Sequence, residues 1–233
     1  MKSFSGNLAP NMMYTAKGVQ RVHAHVRIIS IVKACEEAGI FSVPLLSLHA
    51  IAYFSDALAP VWNIPVVEAQ ILKRIRSSMS PQLQHDIDDL VGMAVLLPTN
   101  VRHVQADSTW RLDANYSLNH EFTDRIFAAL RKDEGWAREL MLTREVTLAL
   151  SGLGVGGISG AVLVDANYSD PLLDFGNLID LAPEDMKPTR TAQVTERFAS
   201  LMEGERACTD AELTHLYVRH LYSQLQEATD GAS

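Results

Sequence analysis

Eight histidines and 28 carboxylates are spread over this 233-residue chain, so spacing decides which of them can act together. His23 and His25 form an H-x-H pair, but two positions apart on a helix their side chains diverge by about 200°. They could meet on one metal only if the segment were a strand. His215 and His220, five apart, also fall off a common helix face. Asp170, Asp174 and Asp180 lie in the loop-rich stretch NYSDPLLDFGNLID, where short carboxylates serve turns and caps far more often than catalysis. No H-E-x-x-H, P-loop lysine or G-x-S-x-G string occurs. These patterns predict neither a catalytic nor a metal-binding residue, and no enzyme.

One string does match a binding motif. Gly152-Leu153-Gly154-Val155-Gly156-Gly157 satisfies G-x-G-x-x-G, and five of the chain's 13 glycines sit between Gly152 and Gly160. A dinucleotide fingerprint needs a buried strand feeding the glycine turn, then a helix whose N-terminus faces the phosphates. Here the preceding WARELMLTREVTLAL is helical in composition, and the ten residues Ile158–Asn167 have the length of a strand or a short buried turn. The expectation is structural: Gly152 ends a helix in the left-handed conformation and the remaining glycines allow close packing. No cofactor is expected.

Composition sets the frame for these residues. A net charge of −8 weighs against an extended phosphate contact, while 47% hydrophobic residues suit a globular core. Cys35 and Cys208 are distant and lack ligand-like neighbours, which indicates a reducing interior. No apolar run long enough to span a bilayer and no signal-peptide core is read, so the expected location is cytoplasmic.

The elements that must position the side chains follow from periodicity. Residues 1–17 read as an N-terminal arm. Val19, Val22, Val26, Ile29 and Val32 mark a helix over Gly18–Ala38, and Leu45–Leu58 a second helix with most of its circumference apolar. Pro65 followed by Val66, Val67, Ala69, Ile71 and Leu72 predicts a short helix. Ser80-Pro81 starts a further helix with Leu83, Ile87, Leu90, Val91 and Ala94 on one face. VLLPTNVRHV, a turn at QADS and TWRLDANYSL predict a β-hairpin. The fold class is therefore mainly α (α+β): a winged helix-turn-helix domain over 18–119, then a helical C-terminal region over 120–233. That region should hold helices at 120–130, 136–150, 191–203 and 210–226.

A winged helix that reads DNA presents Arg, Lys, Asn, Gln or Ser on its third helix. The outward positions here are Gln82, Gln84, His85, Asp86, Asp88 and Asp89, and three carboxylates repel phosphates. The residues suited to DNA-backbone contact are Lys73, Arg74 and Arg76 before the helix, with Arg102 and Arg111 on the wing. A solvated surface paired with the Asp-rich helix is the alternative for these cations. Protein–protein contact is thus expected over sequence reading. On the last helix, Arg219 and Tyr222 are the candidates for a partner interface, since Tyr and Arg are frequent hot spots, and the alternative is that the whole helix is buried in the core.

The segments SLHAIAYFSDALAPVWNIPVVEAQILKR, SPQLQHDIDDLVGMAVL and ELTHLYVRHLYSQL resemble the middle components of bacterial three-component ABC-ATPase systems, among them the Lamassu-type antiphage defence operons. The resemblance covers residues 20–120 and, more thinly, 185–226, and rests on general winged-helix features. It implies a non-catalytic winged-helix adaptor that links an SMC/Rad50-like ATPase to an effector such as a nuclease, touching DNA indirectly or weakly and no membrane. The alternative is a DNA-binding winged-helix transcriptional regulator.

Overall fold

The structure, a computed structural model, describes residues 10–74, 79–106, 109–182, 187–202 and 207–230. It is mostly helical, 63% helix against 13% strand. Helix α1 (Pro10–Glu37) starts earlier than the apolar stripe predicts, so residues 10–17 are helical rather than an arm. Val19 and Val22 are exposed, while Val26, Ile29 and Val32 are buried together with Ile28, Ile31 and Cys35. The second half of α1 is therefore enclosed on more than one face.

Strand β1 (Val43–Pro44) leads into α2 (Leu45–Leu58), which is buried around almost its whole circumference, as its apolar spread predicts. A 3-10 turn, Ala59–Trp62, follows. The stretch Leu45–Trp62 is also, among the described residues, the one segment long and apolar enough by itself to cross a membrane: 18 residues of mean hydropathy 1.2. That corrects the expectation that no such run exists. In the structure 83% of it is buried inside the protein, where a central core helix meets the same criterion.

The short helix expected near 65–72 is not formed. Gln70–Leu72 is strand β2, paired antiparallel with β5 (Leu178–Asp180), with Ile71 opposite Ile179. Both isoleucines are buried, so the pairing supplies the packing that a helix would have needed from its own turn.

Helix α3 (Pro81–Gly92) begins where the sequence places it. The Ser80 hydroxyl accepts from the Leu83 amide at 3.2 Å, Pro81 occupies the first turn, and Leu83, Ile87 and Leu90 face inward. Strands β3 (Leu96–Ala106) and β4 (Thr109–Leu118) form the expected hairpin, and the sheet order is β1-β4-β3.

The second half contains α4 (His120–Leu130), α5 (Glu134–Ser151), α6 (Gly154–Val164), α7 (Arg190–Met202) and α8 (Asp210–Asp230). The start of α8 is a capping box: Thr209 N–H donates to Glu212 Oε2 at 2.9 Å, and Glu212 N–H donates back to Thr209 Oγ1 at 3.2 Å. One core continues across residue 119, because α5 packs on α1 and α2 while α6 packs on α2.

The glycine run joins α5 to α6, two helices bent by 107°. It thus lacks the strand that a dinucleotide fingerprint requires upstream. Two details differ from expectation. Gly152 has a right-handed φ of −62°, and the left-handed residue is Gly154, at φ +72°. Of the stretch 158–167, expected as strand or turn, residues 158–164 are helical within α6, because Ile158, Ala161 and Val162 recur on one buried face.

Candidate functional site

Of the cations expected to meet DNA, Lys73 is committed within the protein, whereas Arg102 is ion-paired at the surface with its side chain 71% exposed. Lys73 is 7% exposed. Its ammonium donates to the carbonyls of Asp170 (2.8 Å) and Leu173 (2.6 Å) and lies 5.5 Å from the Phe175 ring centre. It closes the loop before β5 and is not presented to a phosphate. Arg102 reaches across the ribbon to Asp113, with Nε at 3.0 Å and Nη2 at 2.8 Å from one carboxylate oxygen. Arg74 is half-buried, and its amide and carbonyl both hydrogen-bond the Tyr168 hydroxyl. Arg76 lies outside the described residues, and for Arg111 only the backbone, in β4, is described.

The acidic helix α3 is drawn against α1, which corrects one outward assignment. Asp86 is buried at 3% exposure, because α1 crosses here and brings His25 over it. Gln82 Nε2 donates to Asp86 Oδ1 at 3.3 Å, and Gln84 Nε2 to Asp88 Oδ1 at 2.9 Å. The Asp89 carboxylate accepts from Arg21. Gln82, His85 and Asp88 remain exposed, with Gln84 and Asp89 half-buried.

Between α1, α3 and the segment before β2 opens a cleft of about 540 Å³ whose walls include Gln20, Arg21, Arg27, Glu68, Gln82 and Asp86. At its floor Arg27 pairs with Asp56, which also accepts from the Val67 and Glu68 amides. Burial pushes the Asp56 carboxyl up against the opposing pull of Arg27. Glu68, held by the Ser80 hydroxyl, is likewise raised by burial. Burial lowers His25, with Asp86 pulling the other way. The histidine pairs behave as their spacing predicts. His23 stacks on Trp136, 4.3 Å between ring centres, while His25 faces Asp86 and Asp89. His215 approaches Glu145 and His220 packs edge-on to Phe198.

A second polar cluster, which sequence spacing does not single out, lies around Asp165. This carboxylate, 0% exposed, accepts from the hydroxyls of Tyr53, Tyr217 (2.6 Å) and Thr191 (2.8 Å), and from the amides of Asn167 (2.9 Å) and Tyr168 (3.3 Å). It binds α2, α7 and α8 to the end of α6. With donors on every side and no opening, it is built to hold the fold. Asp170 and Asp180 serve turns, each accepting an amide two residues on.

Among the described residues, the exposed surfaces include the β3–β4 ribbon and one side of α8. The β3–β4 ribbon carries exposed Leu97, Val101 and Leu112, and Thr99–His103 are exposed without interruption. At the bulge between Thr99 and Arg102, Asn100 adopts φ +52°. On α8, Tyr217, Val218 and Leu221 are buried, whereas Arg219 is exposed and Tyr222 is 45% exposed, its hydroxyl accepting from Gln226.

No protein-family model, no curated protein and no solved structure matches this chain.

Proposed function

We propose that this protein is a non-catalytic winged-helix adaptor subunit of a multi-subunit SMC/Rad50-like ATPase complex in bacterial antiphage or anti-plasmid defence, linking the ATPase to an effector. The observation that carries the winged-helix reading is the order of elements. α1, β1, α2, α3, β3 and β4 follow in sequence, and the sheet order β1-β4-β3 is the one in which a terminal hairpin forms the wing. The chain departs from a compact helix-turn-helix in one respect: β2 and its flanks separate α2 from α3.

Adaptor rather than DNA reader is supported by charge. α3 exposes Gln82, His85 and Asp88 and no Lys or Arg, while Lys73 is buried and engaged inside the chain. The apolar side chains on the ribbon and the Arg219–Tyr222 side of α8 are the surfaces through which such a subunit would hold its partners.

Fluorescence anisotropy with a labelled duplex tests this against the regulator. The isolated adaptor should give no saturable binding at low salt. A saturable isotherm that weakens steeply with salt, and that Arg102→Glu with Arg111→Glu abolishes, would establish the regulator instead.

A further inference from the structure

Three ligand-type atoms from two helices converge where α1 packs on α3, beside the cleft that Asp86 lines. His25 Nε2 on α1 lies 3.8 Å from Asp86 Oδ1 and 3.9 Å from Asp89 Oδ2 on α3, and all three atoms are within 4.8 Å of one another. His25 Nε2 is fully buried and has no hydrogen-bond partner. At these separations an imidazole N–H is too far to donate, and a bare nitrogen lone pair would face two anionic oxygens. A protonated ring would pair with the two carboxylates by charge but still make no hydrogen bond, and a metal ion between the three atoms would give the nitrogen a direct partner.

We propose that His25, Asp86 and Asp89 bind a divalent transition-metal ion of the zinc class, joining α1 to α3. Zinc takes His nitrogen and Asp oxygen at about 2.0–2.2 Å, which sets tetrahedral ligand atoms about 3.3–3.6 Å apart. Contraction of the His25 edges by a few tenths of an ångström, and of the Asp86–Asp89 edge from its present separation of at most 4.8 Å, meets that spacing. An ion centred in the triangle lies within about 2.5 Å of each atom before any adjustment. The nitrogen donor selects against calcium and magnesium, which take oxygen ligands. Asp86 and Asp89 share a helix face by their three-residue spacing. His85, one turn before Asp89, has its Nε2 3.8 Å from Asp89 Oδ2 and is exposed enough to turn in as a fourth ligand.

Two groups compete with the ion: Gln82 Nε2 donates to Asp86 Oδ1 at 3.3 Å, and Arg21 opposes it by charge. The Arg21 guanidinium occupies the Asp89 carboxylate and supplies a positive charge beside the site. Its side chain is 57% exposed, so it can swing to solvent as metal enters. Arg21 is thus an internal competitor. Removing it should not weaken a metal site, although it would weaken a simple α1/α3 ion-pair contact.

Zinc titration of the whole protein against a chromophoric chelator, paired with thermal melts, tests the site. One equivalent should bind and raise Tm, as ligand binding to the folded state must. His25→Gln and Asp89→Asn should each lower affinity about tenfold or more and abolish the zinc-dependent rise in Tm. Arg21→Ala should bind at least as tightly as wild type. His215→Gln, which removes an exposed histidine elsewhere, should leave the isotherm unchanged. Circular dichroism confirms that each variant is folded, and Asp89→Asn carries the test if His25→Gln is not. Absence of chelator competition by wild type would overturn the site, as would unchanged affinity in the folded ligand variants or weaker binding by Arg21→Ala.

Discussion

Asp165 carries more of the fold than any other single polar side chain described. Five donors converge on it from four parts of the chain, so its loss strands several buried groups at once, each costing about 1–3 kcal/mol. Asp165→Ala should destabilise the protein by about 3–5 kcal/mol, measured by urea unfolding. Tyr53→Phe removes one bond to the carboxylate and should cost about 1.5–3 kcal/mol. The same cluster sets an alkaline limit. Burial, reinforced by the Asp165 charge, pushes the Tyr53 and Tyr217 phenols well above their ordinary value, so both stay protonated in the folded protein. In the unfolded chain they ionise near pH 10. Their contribution is complete below that pH and lost above it, at about 1.4 kcal/mol per pH unit for each phenol. Urea midpoints should therefore fall above about pH 10, and the fall should be shallower in Tyr53→Phe. A pH-independent midpoint across that range would contradict this. Cys35 follows the same logic: burial raises its thiol to about 12, so a thiol reagent at neutral pH should label Cys208 in the native protein and both cysteines in denaturant.

At the scale of elements, signals written in adjacent residues were legible and signals written in distant partners were not. Ser80-Pro81 and the Thr209/Glu212 box mark their helix starts locally, and the structure uses both. The segment Val66–Leu72 carries helix-like apolar spacing, but its conformation is decided by β5, over 100 residues away. In α6 the valines and glycines suggest strand or turn, yet burial against α2 overrides their propensity. The meeting of His25 with Asp86 depends on how α1 crosses α3, and no spacing within either helix encodes that crossing. The glycine run separates by position. Gly154→Ala puts a Cβ on a residue at φ +72° and should cost about 1 kcal/mol. Gly156→Ala lies inside α6, where an added Cβ meets nothing within 4 Å, and should gain about 0.5–1 kcal/mol. Thermal denaturation of the two variants checks both signs.

For the whole molecule, the elements from α1 to β4 and the helical second half share one core through α2, so the ribbon and the outer side of α8 are carried on a single packed body. From Thr99 to Ala106 strand β3 is about 20 Å long at 3.3 Å per residue, and Thr99–His103 along it are exposed. The adaptor proposal requires that a partner be held by these exposed side chains and not by a nucleotide or a duplex. The most direct measurement is affinity purification of the tagged protein from its native cells after nuclease treatment, for wild type and for Arg219→Ala with Tyr222→Ala. A coiled-coil ATPase of the SMC/Rad50 class should co-purify in stoichiometric amount with wild type and be lost from the folded double variant. Recovery of the tagged protein without any such ATPase would contradict the account.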